Sequence, residues 1–593
     1  MTTSSSSLSQ ELRLSGTPVS PGIAIGLLRV RLAQELLPEL KPILPEDVTH
    51  EVARWEHALD VTREQIEMLK VRLAEQADQK DVAIFDAHLL FLEDPLIHQR
   101  VEKLIREQLY NAEQALHAVV SDYLAVMDRV ADPYLQARKA DIQDVSHRVV
   151  QNLMDLEDDA STEEGIQHVL LAQDLTPSDT AAMDVDQVLG FATELGSTVS
   201  HTAILARSMG IPAIVGIPNL MEQVAKVHAE WVIVDGYKGL LIINPEQSVI
   251  AEYRKIQNAR LKEYEDLASQ SDLRTETVDG HYVKLAVNVE FPHEVGGIEE
   301  VGAEGVGLFR TEFFLLGNDT EMPNEEVQTK SYSELVKACN PHEVIFRTLD
   351  SGGDKLPTEH LDSPEPNPFL GWRGIRVSLS RKEMFKDQLK AILRASVNGP
   401  TGVMFPMISG LTEVRRAKRV LAECREELDA AGVPYGKDLK VGIMIEVPSA
   451  AMLADVLANE VDFFSIGTND LTQYTIAVDR VNSHVAHMFR PTHPGVIRMI
   501  DMTVKAGKAK GITTTICGEV AGDILLLPLM IGLGADELSV GVHLVPVLRY
   551  AIRCLDYSKC QELAKKALLA PDSNTVLKLS SELAHSSYPK LFK

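Results

Sequence analysis

The stretch GSTVSHTAILARSMGIPAIVG, residues 196–216, places a single histidine, His201, at the start of an amphipathic helical segment. The small residues before His201 predict a turn, and Arg207 follows about two helical turns later. Free backbone N–H groups and the positive end of the helix dipole would stabilise a phosphoryl group on this imidazole. A lone histidine beside apolar residues is usually structural, so the phosphate interpretation depends on the rest of the chain.

The same stretch resembles the phosphohistidine signature of a family that contains enzyme I of the sugar phosphotransferase system, pyruvate phosphate dikinase and phosphoenolpyruvate synthase. In that family the signature reads Gly-Gly-x-Thr-Ser-His, whereas this chain reads Gly-Ser-Thr-Val-Ser-His. The departure falls on the second glycine and the threonine, and it leaves Ser200, His201 and Thr202 in place. The resemblance implies that His201 accepts the phosphoryl group and forms a tele-phosphohistidine intermediate.

Length and composition place the chain among large globular proteins. With 593 residues it is too long for one hydrophobic core, and three or four domains are expected. The net charge of −28 argues against a nucleic-acid partner. It fits an enzyme, or an acidic docking face for a basic partner.

Neither a membrane segment nor a disulfide framework is predicted. The chain has no long apolar span, and its first fourteen residues are polar and Ser-rich, unlike a signal peptide. We therefore expect a cytoplasmic protein without membrane insertion. No CxxC pair occurs among the five cysteines, so a zinc knuckle is not indicated either. The cysteines are Cys339, Cys424, Cys517, Cys554 and Cys560.

The first half of the chain predicts an α/β domain with a helical insertion. Residues 15–30 predict an opening strand, and short strands resume near 169–178 and 231–245. Between them the sequence pattern predicts helices. Apolar residues there have a heptad-like spacing, at Val52, Trp55, Leu59, Val61, Ile66, Leu69 and Leu73. The resemblance implies that residues 1–44 plus 156–246 form a swivelling phosphohistidine domain. It also implies that residues 45–155 bind a carrier protein, HPr, although the pattern alone fits a helical core with a solvated acidic face.

The second half alternates buried strands with helices. After a linker helix over 247–274, residues 275–593 are expected to form a (β/α)8 TIM barrel, because eight strands are joined by helical segments. The predicted strands are 284–290, 305–309, 344–349, 402–406, 440–446, 462–466, 513–517 and 536–539. The predicted fold class is therefore α/β, with chemistry at the ends of the barrel strands.

Arginine side chains follow the second and third predicted barrel strands. Arg310 and Arg347 close those strands, and Lys355, Arg373 and Arg480 follow in later loops. Guanidinium groups bind phosphate and carboxylate oxygens bidentately, so a cluster of them predicts a site for a trianion. A single surface arginine would instead be an ordinary ion-pair partner.

Two acids and a cysteine follow later strands. Glu446 and Asp470 come from adjacent strands and could hold Mg²⁺, or could be structural acids at strand ends. Cys517 follows the seventh strand. A buried cysteine is usually an inert small hydrophobe, unless the reaction needs an acid to protonate an enolate.

The family resemblance assigns roles to these positions. It implies a phosphoenolpyruvate site, a Mg²⁺ site, a proton donor at Cys517 and a homodimer joined through the barrels. The substrate-binding residues would be Arg310, Arg347, Asn469, Asp470 and Arg480, supported by Lys355 and Arg373, and the metal ligands would be Glu446 and Asp470.

The resemblance implies the function of the enzyme I family, which is phosphoryl transfer from phosphoenolpyruvate to His201 and then to an HPr-like carrier. A dikinase or phosphoenolpyruvate synthase is the alternative, but it needs a nucleotide-binding domain. No GxxxxGK[ST] motif occurs, and the roughly 270 residues before the barrel are already assigned. A third interpretation is a catalytically silent sensor or scaffold. Every expected reactive position is filled in this chain, which counts against it.

Overall fold

The computed structural model divides the described residues into two compact units, one ending at Leu261 and the other beginning at Lys262. It describes most of the chain, with gaps in both units. The described residues are 11–31, 42–76, 88–89, 91–92, 94–127, 133–154, 166–175, 187–196, 206, 211–227, 229–290, 292–312, 323–350, 367–480, 482 and 484–592.

The first unit contains a mixed eight-stranded sheet. Its strands are β1 Leu12–Ser15, β2 Thr17–Ser20, β3 Ile23–Arg31, β4 His168–Ala172, β5 Val188–Thr193, β6 Ala213–Val215, β7 Trp231–Asp235 and β8 Leu240–Ile243. Their order in the sheet is β1-β8-β7-β3-β4-β5-β6-β2. β3 to β6 run parallel, while β7 and β8 pair antiparallel as a hairpin. The short helix Leu220–Val224 and the long helix Gln247–Ala268 follow β6 and β8.

A helical block interrupts this sheet between β3 and β4, as the sequence predicts. Its helices in the described residues are Val48–Gln76, Pro95–Gln108, Ala112–Met127 and Pro133–Leu153. Four of the apolar positions expected to face the core are buried, namely Val52, Trp55, Leu59 and Ile66. Val61 is half-buried, and the side chains of Leu69 and Leu73 lie outside the described residues.

The second unit contains a closed barrel of eight parallel strands. The strands are β9 Lys284–Val289, β10 Gly305–Arg310, β11 Glu343–Arg347, β12 Thr401–Phe405, β13 Lys440–Ile445, β14 Phe463–Ile466, β15 Thr513–Ile516 and β16 Glu537–Val540. Each begins and ends within two residues of its predicted position. The predicted fold class is confirmed, while the boundaries assigned to the individual domains stay predictions.

Helices surround the barrel. They are Glu325–Cys339, Ile375–Ser380, Lys382–Ala395, Leu411–Ala431, Pro448–Met452, Ala454–Leu457, Thr468–Ile476, Pro494–Lys510, Leu527–Leu533, Val545–Cys554, Tyr557–Ala567 and Ser573–Ser587. Among the described helices, none has the length and apolar character needed to cross a membrane.

Side chains fill the barrel interior. An apolar cluster consists of Leu308, Ile345, Met404, Met444, Phe463 and Cys517, all buried. A Cβ atom at Gly442 would lie 2.3 Å from the ring of Phe463, so a glycine there leaves space for the aromatic side chain. Because the interior is packed, a ligand has room only at the ends of the strands.

Candidate active site

The carboxyl ends of β10 to β15 bring the predicted site residues of the barrel together. Arg310 and Arg347 are the last residues of β10 and β11, and Glu446 directly follows β13. Asp470 lies in the first turn of the helix Thr468–Ile476, after β14. Since all eight strands are parallel, these side chains project at the same end of the barrel.

Three buried carboxyl groups meet at this end, from Asp350, Glu446 and Asp470. Each offers an oxygen, and these oxygens lie within 4.8 Å of one another. Burial and the nearby negative charges of Asp350 and Asp470 raise the pKa of Glu446 to about 8. Oε1 of Glu446 accepts a hydrogen bond from the backbone N–H of Met407 at 2.5 Å. The backbone of Met407 is left-handed, with φ of 55°, a conformation that is uncommon for residues other than glycine.

Two arginines with side chains only 12% exposed share one of these carboxylates. Oδ2 of Asp350 lies 3.0 Å from Arg347 and 3.1 Å from Arg373. Arg347 also contacts Glu312 at 3.0 Å, and Arg373 contacts Asp470 at 3.3 Å. Burial opposes the charge of both guanidinium groups, yet the adjacent carboxylates outweigh it and raise their pKa. Both arginines therefore remain cationic inside the site.

Two further arginines are more accessible. The side chain of Arg310 is 42% exposed and pairs with Glu290, and that of Arg480 is 35% exposed and lies 3.6 Å from Asp470. Asn469 is half-buried, and its Nδ2 donates to Glu519 at 3.2 Å. These three side chains are in a position to meet a ligand arriving from solvent.

Cys517 lies at the same end, after β15, and only 4% of its surface is exposed. Its thiol donates to the carbonyl oxygen of Ile466 over 3.5 Å. Burial raises the pKa of this thiol to about 11, so the group is protonated at neutral pH. A protonated thiol can act as an acid and is not a ready nucleophile.

Several buried polar atoms at this end have no hydrogen-bond partner among the described residues. They are Oγ1 of Thr348, Oγ1 of Thr468, Oδ1 of Asp470 and Nε of Arg347. Buried polar groups are normally paired, so a group of unpaired ones indicates a site that a polar ligand completes.

Relatives cover the chain almost end to end. A phosphoenolpyruvate-protein phosphotransferase of Staphylococcus carnosus (strain TM300) is 40% identical over 574 residues, which make up 96% of this chain and 99% of that protein. The chain belongs to the phosphoenolpyruvate-protein phosphotransferase family. The protein of the same name from Listeria monocytogenes is 40% identical over 95% of this chain and 98% of its own length. The resemblance read from the motifs is confirmed.

Family models for the phosphoenolpyruvate (PEP)-utilising enzymes match three parts of the chain. The N-terminal model covers residues 15–138, the mobile-domain model residues 166–239, and the PEP-binding model residues 264–557. The solution structure of an Enzyme I protein is 38% identical and covers 42% of this chain and 99% of that chain, with a TM-score of 0.37. In this phosphotransferase, the cluster described above lies within the range of the PEP-binding model.

Two predicted site residues, His201 and Lys355, lie outside the described residues. The structure brings together seven others: Arg310, Arg347, Arg373, Glu446, Asp470, Arg480 and Cys517. Asn469 precedes Asp470 on the same helical turn.

Sequence reasoning gave no role to Glu312, Asp350 and Tyr474. Each contacts a predicted arginine, and the hydroxyl of Tyr474 accepts from Arg373 at 3.2 Å. Asp350 stands three residues after Arg347, just past the end of β11. An acid that close behind a strand-terminal arginine was the available signal for a third carboxylate in the site.

Proposed function

We propose that this protein transfers the phosphoryl group of PEP to His201 and then to a histidine of an HPr-like carrier, and releases pyruvate. This is the first step of the sugar phosphotransferase system. The observation that carries the proposal is the arrangement of four arginines around three buried carboxylates at one end of the barrel. Cations arranged in this way suit a small trianion. The PEP-binding family model that matches residues 264–557 supports PEP as that anion.

The two pairs of arginines have different tasks in this proposal. Arg310 and Arg480, which are partly exposed, bind the incoming phosphate and carboxylate oxygens together with Asn469. Arg347 and Arg373 are held by Asp350, so they present fixed positive charge without reorganisation during the reaction. Lys355 is assigned to the same phosphate on the strength of its motif alone. Fixed charge of this kind is the main source of catalysis in phosphoryl transfer.

The three carboxyl groups fit a magnesium site. Their oxygens are close enough to share one ion, and Oδ1 of Asp470 accepts no hydrogen bond among the described residues. Glu446 and Asp470 are the proposed ligands. Asp350 lies closer to its two arginines, at 3.0 and 3.1 Å, than Asp470 does to its own, at 3.3 and 3.6 Å, so we assign Asp350 to orienting them. Mg²⁺ prefers carboxylate oxygens and, when bound, neutralises charge on phosphate and enolate oxygens.

The chemistry uses one acceptor and one acid. A nitrogen of His201 forms a bond to phosphorus as the bond from phosphorus to the enol oxygen of PEP breaks, and pyruvate enolate leaves. The thiol of Cys517 gives its proton to the methylene carbon of the enolate, which produces the methyl group of pyruvate. The thiolate then recovers a proton from solvent. The raised pKa of Cys517 supports this assignment, because it keeps the acid protonated before each turnover.

The remaining parts of the proposal concern partners and location. Residues 45–155 are the proposed docking domain for the carrier, and the acidic net charge of the chain suits a basic partner. A homodimer through the barrels is supported by exposed apolar side chains on neighbouring barrel helices, Met452 and Val456. A cytoplasmic location is supported by five free cysteines, four of them buried, because thiols persist in a reducing compartment.

A labelling experiment tests the central step. The protein is incubated with PEP carrying radioactive phosphorus and Mg²⁺, and the stability of the label is measured in acid and in base. We expect a label that is lost in acid and kept in base, as for a phosphoimidazole. His201→Ala should abolish it, while His57→Ala, at an exposed helical histidine, should not. A label that persists on His201→Ala would refute the proposal.

A further inference from the structure

We propose that Asn288 and Ser539 are positioning residues that hold Cys517 in the place from which it protonates the enolate. They act through a chain of two hydrogen bonds inside the barrel, which ends on the backbone carbonyl of Cys517. This inference rests on the proposed function, since it concerns how the proposed acid is held.

Cys517 sits where the regular pairing of its strand ends. On one side its backbone N–H donates to the carbonyl of Ile466, the last residue of β14, at 3.2 Å. On the other side, the pairing of β15 with β16 ends at Ile516 opposite Leu538. The carbonyl of Cys517 instead receives a side-chain donor, Nδ2 of Asn288, at 3.2 Å. Thus a side chain supplies a hydrogen bond where the ladder has stopped.

Asn288 reaches Cys517 from a strand that is not its neighbour. It lies on β9, and β16 stands between β9 and β15 in the barrel order. Oδ1 of Asn288 accepts a hydrogen bond from the hydroxyl of Ser539, on β16, at 2.7 Å. These two hydrogen bonds therefore connect β16 to β9, and β9 to the end of β15, inside the barrel.

The chemistry of the partners determines the orientation of the amide. A carbonyl oxygen can only accept, so Asn288 must turn its NH₂ group toward Cys517. Its oxygen then faces Ser539, which is a donor as well as an acceptor, and the hydroxyl satisfies it. Ser539 is fully buried, so loss of its hydroxyl would leave the amide oxygen without this donor. The two hydrogen bonds thus support each other.

Gly307, on β10 next to β9, leaves space for these two hydrogen bonds. A Cβ atom at Gly307 would lie 2.6 Å from Oγ of Ser539 and 2.8 Å from Oε1 of Glu537. Any side chain at this position would displace the hydroxyl that orients Asn288. The hydrogen bond between Ser539 and Asn288 therefore depends on a glycine at position 307.

Position matters for Cys517 because a proton is transferred over a short distance. A misplacement of about 1 Å can slow a reaction by roughly 100-fold. Without Asn288, the backbone of Cys517 would keep its bond to Ile466 on one side only. The thiol would remain, but its direction toward the enolate carbon would be less restricted.

The test follows hydrogen exchange at the methyl group of pyruvate, by NMR in heavy water, with phosphorylated protein. We expect Asn288→Ala and Asn288→Asp each to lower the exchange rate by about 10- to 100-fold, with PEP binding changed by less than about twofold. Asn288→Asp keeps the acceptor for Ser539 but replaces the donor to Cys517 with a carboxylate oxygen, so it removes that bond and adds repulsion against the carbonyl of Cys517. Ser539→Ala should have a smaller effect, about threefold. Ser580→Ala removes another buried serine that donates to a backbone carbonyl, far along the chain, and should leave exchange unchanged.

A double-mutant cycle separates positioning from general destabilisation. In a Cys517→Ala background, Asn288→Asp should cost nothing further, because the group that it positions is already gone. An additional loss of similar size in that background would overturn the inference. So would normal exchange in Asn288→Asp while Cys517→Ala is inactive. If Cys517→Ala itself exchanges at the parental rate, the assignment of Cys517 as the acid fails first. Should Asn288→Ala not fold, Asn288→Asp and Ser539→Ala decide the question.

Discussion

The two ends of the barrel handle charge in different ways. At the amino end, Lys284 pairs with Glu537 at 2.8 Å and Lys440 pairs with Glu343 at 2.9 Å. At the carboxyl end, three carboxyl groups meet, and two of them, Asp350 and Asp470, each contact two arginines. The first pattern is a set of one-to-one pairs, whereas the second concentrates like charges that repel each other.

This difference separates a stabilising role from a binding role. One-to-one pairs compensate the cost of burying each charge and need no further partner. Like charges held together, with unpaired polar atoms around them, raise the free energy of the site until a ligand enters. The comparison leads to predictions in which substitutions at the carboxyl end change activity and substitutions at the amino end change stability.

The largest effect is expected from the proposed metal ligands. Glu446→Gln and Asp470→Asn keep the size of the side chain and remove its charge, so phosphorylation of His201 should fall by about 1,000-fold or more. Added Mg²⁺ should not restore it. The measurement is the initial rate of labelling from radioactive PEP. Activity in either variant above about one tenth of the parental rate would remove that residue from the proposed site.

A smaller loss is expected when the proposed acid is removed. Cys517→Ala should bind PEP normally but slow its conversion to pyruvate by about 100-fold or more, because the enolate loses its positioned proton donor. Equilibrium binding of PEP and hydrogen exchange into pyruvate measure the two steps separately. Parental exchange in this variant would return Cys517 to the role of a packed, inert side chain.

At the amino end the expected effect is on folding. Lys284→Met leaves the buried carboxylate of Glu537 without its partner and should lower the free energy of unfolding by about 3 kcal/mol. Turnover at a temperature where the variant is folded should be close to parental. Chemical denaturation and initial rates check the two statements. A large fall in turnover with unchanged stability would contradict the division between the two ends.

A second effect on folding is a pH dependence of stability from Glu446. The pKa of this carboxyl is raised from 4.5 to about 8 in the folded protein, so the unfolded chain releases the proton first as pH rises. The free energy of unfolding should therefore fall between about pH 4.5 and 8 in metal-free protein. Glu446→Gln should lack this contribution and gain stability relative to the parent by a few degrees in Tm at the upper pH.

Melting curves at the two pH values, with a chelator present, measure this difference. Because other groups also titrate, the quantity to compare is the difference in Tm between parent and variant at each pH. The structure indicates that the three carboxyl groups repel one another. The same difference in Tm at both pH values would contradict this.

Much of the barrel could be predicted from the sequence. Its strands are short apolar runs bounded by turns and separated by helical patterns, which are local signals. Arg310, Arg347 and Glu446 stand directly at strand ends, so a parallel barrel places them at one end regardless of details. The predicted roles of these residues, and of His201, remain proposals.

The contacts between the site residues could not be predicted. Asp350 was visible in the sequence, but its sharing between Arg347 and Arg373 depends on side chains from separate segments meeting after the barrel closes. The same holds for the bond from Asn288 to Cys517, which spans 229 residues of sequence. Periodicity specifies which face of its own element a residue occupies. Which distant side chain it meets is decided by strand order, stagger and packing, and only the tertiary structure contains those.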